Sequence, residues 1–156
     1  MPVARRSFLK QAALVGVGAF VAAPKPLWAL EASPVERLRI AGIGVGGKGQ
    51  SDIAQAGAYG DVVALCDVDD NRSAKSRETF SKAAYYHDFR KLFDEMGDKI
   101  DAVVVSTPDH THATAAMRAI RLGKHVYCQK PLTWSVYEAR VLRESATAYG
   151  VATQMG

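Results

Sequence analysis

Short unbroken apolar runs alternate along this chain with longer stretches in which apolar residues recur every three or four positions. Runs of the first kind read as strands buried on both faces, and stretches of the second kind as helices. Strands are expected at about residues 37–43, 62–66, 85–86, 100–105, 125–128 and 151–154. Helices are expected between them. The first covers 48–56, with Ile53 and Ala56 inward and Gly57 and Gly60 closing it. The second is capped by Asp70 or Asn71 and runs to about residue 82. The third is capped by Asp88, carries the stripe Phe89, Leu92, Phe93 and Met96, and is stopped by Gly97. Those aromatics read as core. The fourth ends near Leu122 and Gly123; the fifth opens on the capping box Ser135-x-x-Glu138 and stops at Gly150.

Strand and helix patterns that alternate in this way predict an α/β domain with a doubly wound parallel sheet. The first strand ends in Gly42-x-Gly44-x-x-Gly47, and the following residues can be helical. That is the dinucleotide fingerprint of a Rossmann-like domain. In it the first glycine is expected to allow the tight turn, the second to let backbone approach a pyrophosphate, and the third to let helix pack on strand. The helix start then offers free N–H groups and the positive dipole end to phosphates. Asp67, at the end of the second strand and 20 residues after Gly47, stands where a ribose-binding carboxylate belongs. A second Gly-x-Gly, Gly16-Val17-Gly18, lies in an apolar run without turn chemistry and is assigned no function.

The 156 residues suit one domain of ordinary size. The net charge of +4 is unevenly placed: Arg5, Arg6, Lys10 and Lys25 oppose only Glu31 within residues 1–33. A near-neutral body leaves no electrostatic footprint for nucleic acid, and no apolar run reaches the roughly 20 residues of a membrane span. Arg5-Arg6-Ser7-Phe8-Leu9-Lys10 followed by an apolar stretch to Ala23 reads as an export signal. The paired arginines closely resemble the twin-arginine type. Residues 1–32 are therefore expected to be signal and linker, directing the protein to the periplasm or another extracytoplasmic compartment. Ala29 and Ala32 are alternative last residues of the signal, and an uncleaved anchor is a further alternative. Residues 36–156 are expected to form the dinucleotide-binding domain. Cys66 and Cys128 end the second and fifth strands. In a 3-2-1-4-5-6 sheet they stand about 14 Å apart, beyond the roughly 7 Å a disulfide tolerates, so both thiols are expected free and buried.

Ligands of an open parallel sheet bind at the carboxyl ends of its strands. Gly44, Asp67, Thr107 and Lys130 each follow a different strand there. Asp67 favours NAD over a 2′-phosphate, although Arg72 nearby leaves NADP possible. Lys130, in a Lys-Pro step, can polarise a substrate hydroxyl or carbonyl or shuttle its proton; the plain alternative is a solvated lysine. His110 and His112, two positions apart, share no helical face, and no metal site is expected.

Four segments resemble the N-terminal half of the Gfo/Idh/MocA oxidoreductases, relatives of glucose-fructose oxidoreductase and inositol dehydrogenase: Gly42-Ile43-Gly44-Val45-Gly46-Gly47, Cys66-Asp67-Val68-Asp69, Thr107-Pro108-Asp109-His110-Thr111-His112 and Gln129-Lys130-Pro131-Leu132. The resemblance spans roughly residues 38–156 and implies a nicotinamide cofactor held by Gly42, Gly44, Gly46, Gly47, Asp67, Thr107, Pro108, His112, Gln129 and Lys130, with Lys130 catalytic. It implies hydride transfer to or from a sugar or cyclic polyol, and a homo-oligomer when full length. Family members commonly carry Glu where Gln129 stands, and losing that carboxylate is expected to alter the substrate class. Nothing matches the family's C-terminal α/β domain, so the chain is expected to be a fragment or natural truncation that binds dinucleotide weakly and does not turn over. The resemblance also implies export through the twin-arginine machinery with cofactor already bound and tightly held. Two alternatives are an NAD-dependent glycoside hydrolase using transient oxidation and a non-catalytic nucleotide-binding module.

Overall fold

The computed structural model describes residues 37–156. The export signal and linker expected over residues 1–32 lie outside the described residues. The elements follow in the order β1 (Leu38–Ile43), α1 (Lys48–Gly57), β2 (Gly60–Cys66), α2 (Asp70–Thr79), β3 (Ala84–Tyr86), α3 (Phe89–Met96), β4 (Ala102–Val105), α4 (Asp109–Arg121), β5 (His125–Cys128), α5 (Val136–Tyr149) and β6 (Thr153–Met155). The strands form one sheet in the order β3-β2-β1-β4-β5-β6, every pairing parallel. This is the doubly wound sheet that the alternating pattern predicts. Strand order reverses between β1 and β4, and that switch point opens a crevice at the strand C-termini.

Both sheet faces are covered, with side chains assigned to them by the two-residue strand period. On one face Ile40, Leu65 and Val104 pack with Val45 and Ile53. On the other, Ala41, Ile43, Val103, Val105, Val126 and Cys128 pack with α3, α4 and α5 through Leu92, Phe93, Ala116, Ile120 and Leu142. The stripe on α3 is core, as its spacing predicts: Leu92 and Phe93 are buried, and Phe89 and Met96 pack against them. α2 departs from the hydrophobic rule. Its buried residues are Ser73 and Ser76, and the Ser76 hydroxyl donates to the Val45 carbonyl at 2.6 Å.

Several boundaries differ from the expected ones for local reasons. Asp69, not Asp70 or Asn71, caps α2; its extended backbone lets its carboxylate accept from the N–H groups of Asn71 and Arg72. Asp70 is instead a first-turn acid bonded to Arg77 and His87. α2 stops at Thr79 because Phe80 leaves the helical conformation and packs against the core. Gly97 keeps right-handed angles (φ −48°, ψ −45°), so α3 runs into a 3₁₀ turn, Gly97–Lys99. Gly150 does supply the left-handed stop at φ 64°, and the capping box of Ser135 and Glu138 is complete. β4 begins at Ala102 because Asp101 faces sideways, accepting from the Arg39 backbone N–H at 2.8 Å and from the guanidinium Nε and Nη2 at 2.9 and 2.6 Å. That clamp joins the starts of the two central strands.

β1 and β4 separate the strands that end in Cys66 and Cys128, and both thiols are free and buried. Burial pushes both up to about 12, with the charges of Asp67 and Asp88 adding to the effect on Cys66. Among the described residues, no helix is long and apolar enough to cross a membrane.

Two stability changes follow. The Arg39 hydrogen bonds, opposed in part by burial, draw Asp101 down to about 2. A depressed folded-state value stabilises above the ordinary carboxyl value and is lost as pH falls through the folded one. Asp101→Asn should therefore lower stability by about 1 kcal/mol at neutral pH, a figure kept small by solvent screening of the half-exposed Arg39. Urea denaturation should show the gap to the native chain closing between pH 4 and 2. Independently, a Cβ at Gly49 would overlap the carbonyl oxygen of Gly44. Gly49→Ala should cost about 2 kcal/mol in the same assay.

Candidate nucleotide-binding site

The turn after β1 is built from backbone at close quarters. Gly44 takes φ 77°, and a Cβ there would stand 2.7 Å from the Thr107 nitrogen. Gly47 takes φ 56° and precedes α1 without a side-chain cap. Gly42 sits within β1, where a Cβ would strike Val45 and Ile53. The roles are thus redistributed relative to the motif expectation. Gly44 and Gly47 make the turn, and Gly42 with Gly49 lets α1 pack on the sheet. A Cβ at Gly46 would meet the Arg72 Cβ at 2.8 Å, so this glycine admits α2 to the rim.

Asp67 lies at the end of β2 with its carboxylate already engaged. Oδ2 accepts from the N–H groups of Val45 at 2.8 Å and Gly46 at 2.9 Å, and Oδ1 from Asp69 at 3.0 Å. A carboxylate has about four acceptor directions, so one remains for a ligand hydroxyl. Asp67 therefore pins the glycine turn to β2. A cleft of about 620 Å³ opens over it, lined by Gly44, Gly46, Asp67, Thr107 and Pro108. Lys48, Val68, Arg72, His87, Phe89 and His110 are also among its walls. Lys48, His87 and Phe89 were not singled out for the site by the sequence; only their position after a strand end or glycine turn marks them. A larger hollow of about 690 Å³ lies at the β6 edge between α4 and α5. It is lined mainly by aliphatic side chains and by none of the predicted site residues.

Thr107 is on the cleft lining, and its Oγ1 is buried without a hydrogen-bond partner among the described residues. His112, by contrast, stands behind the cleft wall at 1% exposure. Nε2 lies 2.6 Å from the Thr107 carbonyl and Nδ1 lies 2.8 Å from the Pro131 carbonyl. Both partners are acceptors, so a neutral ring satisfies one at a time. His112 braces the Thr107 loop against the Lys130-Pro131 step, while the exposed His87 and His110 are the histidines on the lining.

Lys130 is exposed immediately after β5, in a cis Lys130-Pro131 bond, and is not part of the cleft lining. Gln129 is buried beside it, with its Oε1 accepting from the Lys130 N–H at 2.8 Å. Its amide nitrogen donates to Asp52 at 3.1 Å. Asp52, a residue sequence reasoning missed, also accepts from Ser106 and pairs with Lys48. A carboxylate thus does stand beside position 129, brought by α1. Among the described residues, no cluster of three or more His, Cys, Asp or Glu gathers to hold a metal.

The cleft fits a dinucleotide on its own chemistry. Its floor is a turn where Cβ atoms would fill the space, the first turn of α1 holds no acidic residue, and an orphaned hydroxyl lies at its edge. The family model described as an oxidoreductase family with an NAD-binding Rossmann fold, Gfo/Idh/MocA, matches residues 38–156. A glycosyl hydrolase family 109 protein of Solibacter usitatus is 33% identical over 92% of this chain and 36% of its own length. Inositol 2-dehydrogenase 1 of Saccharopolyspora erythraea is 37% identical over 62% of this chain and 28% of its own. The crystal structure of an NAD-binding oxidoreductase from Klebsiella pneumoniae is 33% identical, with a TM-score of 0.65 over 77% of this chain and 34% of that one. The chain spans about a third of the length of these relatives. With the glycine turn, Asp67 and the Lys130-Pro131 step inside the matched span, the chain belongs to the Gfo/Idh/MocA oxidoreductase family as its NAD-binding Rossmann domain.

Proposed function

We propose that this domain serves an NAD(P)-dependent oxidoreductase that exchanges hydride with a carbon of a sugar or cyclic polyol. The observation that carries this reading is the gathering of the glycine turn, Asp67 and Thr107 around one cleft, with Lys130 following the next strand. When bound, the nicotinamide supplies the hydride chemistry. The chain's own groups do the rest. The glycine turn and the start of α1 would receive the pyrophosphate. Asp67 would offer its remaining acceptor direction to a ribose hydroxyl, and Thr107 would help hold the cofactor from the end of β4. Lys130 takes or returns the proton of the reacting hydroxyl. The negative charge of Asp67 favours NAD; the Arg72 guanidinium, 3.0 Å from where a Gly47 Cβ would stand, leaves room for NADP.

The relation to a family 109 glycosyl hydrolase across 92% of the chain favours a second reading, glycoside cleavage through transient oxidation. Cleavage of a glycoside without accumulating reduced cofactor would select it. The twin-arginine motif at Arg5-Arg6 supports export of the folded protein with cofactor held tightly, and the family resemblance supports a homo-oligomeric full-length enzyme. Purified exported protein should then carry bound nucleotide; an empty, rapidly exchanging site would refute tight retention.

Calorimetry on the full-length protein stripped of nucleotide should show NAD binding more tightly than NADP. No heat with either removes the reading. Lys130→Ala in the full-length enzyme should cut turnover by about 10²–10⁴-fold and leave the NAD dissociation constant within about threefold. Unchanged turnover removes Lys130 from the chemistry.

A further inference from the structure

Asp52 is a buried carboxylate that neither the nucleotide motif nor the cleft lining accounts for. It lies in the second turn of α1 at 7% exposure. Three elements converge on it. Lys48 pairs with it from the start of α1, the Ser106 hydroxyl donates from the end of β4 at 2.8 Å, and the Gln129 amide nitrogen donates from the end of β5 at 3.1 Å. Burial pushes its carboxyl upward, but the hydrogen bonds from Lys48, Gln129 and Ser106 outweigh this and hold it below the ordinary carboxylate value. An ionised carboxylate only accepts. Gln129 must therefore turn its NH₂ toward Asp52, which leaves its Oε1 to face the Lys130 N–H, and the two are 2.8 Å apart.

We propose that Asp52 is a positioning residue for Lys130: through the Gln129 amide it fixes the backbone of the Lys130-Pro131 step and ties that step to the helix whose start faces the cofactor phosphates. The coupling stands on the geometry alone; its catalytic consequence rests on the role proposed above for Lys130. The pairing also dictates which residue fits at 129. A carboxylate there would meet Asp52 with two acceptors and no donor, at about hydrogen-bond distance. Asparagine at 52 combined with glutamate at 129 would restore the alternation, with the Asn NH₂ donating to the Glu and the Glu accepting from the Lys130 N–H.

The test uses the full-length protein labelled with [¹⁵N]lysine, the Lys130 amide being assigned through Lys130→Arg and the Lys124 amide serving as control. Asp52→Asn allows the Gln129 amide to turn over, and Gln129→Glu sets two carboxylates together. Each should shift the Lys130 amide resonance and speed its hydrogen exchange about tenfold. The double variant Asp52→Asn/Gln129→Glu should return exchange to within about threefold of the native rate, and Lys124 should not move in any of them. Gln129→Glu against the double variant decides the matter even if Asp52→Asn alone does not fold. A Lys130 amide unmoved by Asp52→Asn, or a double variant that is unfolded or no better than Gln129→Glu, overturns the coupling. NAD affinity measured on the same native sample separates the two claims: failure to bind would sink the oxidoreductase reading and leave the coupling to the Lys130 amide.

Discussion

The first turn of α1 lies against the carbonyl of Gly44, with no room between them for a side chain at Gly49. Most of the site depends on that approach. It seats Ile53 against β1 and β4, so the helix is locked to the two central strands at the point where strand order reverses. It also draws the Gly44 turn against the end of β4, where the backbone of Ser106 and Thr107 fills the space a Cβ would take. A bulkier first turn would separate helix from sheet and widen the one place where helix start, Asp67 and Thr107 face each other. Interiors are close-packed, so such a gap cannot be absorbed locally.

Around this contact, the charged and polar groups at the strand ends are satisfied mainly within the chain. Asp67 is held by the backbone N–H groups of Val45, Gly46 and Asp69. Asp52 is held by Lys48, Ser106 and Gln129. His112 lies between the carbonyls of Thr107 and Pro131. Each set joins segments from different strands, so the loops that carry the site are braced against one another. Among the described residues, the Thr107 hydroxyl stands apart as a buried side-chain polar atom without a partner. A braced cradle with unmet donors suits a ligand that arrives with its own acceptors, because little ordering entropy remains to be lost on binding.

Much of this was legible in the sequence because it is local. Strand and helix periods, the caps at Asp88 and Ser135, the stop at Gly150 and the glycine turn each depend on residues within a few positions of one another. The parallel strand order followed from the alternation of elements, and with it the separation of Cys66 from Cys128. The placement of α2 was less legible, since it docks through Ser73 and Ser76 and shows no apolar stripe.

The sequence by itself determined the fold class and which residues stand at the ends of β1, β2, β4 and β5, because hydrophobic period and turn chemistry act over short spans. Only the tertiary structure decided how the groups there are bonded. Asp52 meets Ser106 and Gln129 across 54 and 77 residues; Arg39 meets Asp101 across 62. No period or motif marks such pairs, since their geometry exists only once the strands lie side by side. For the same reason Asp67 emerged as the pin of the glycine turn, and His112 as a brace behind the wall.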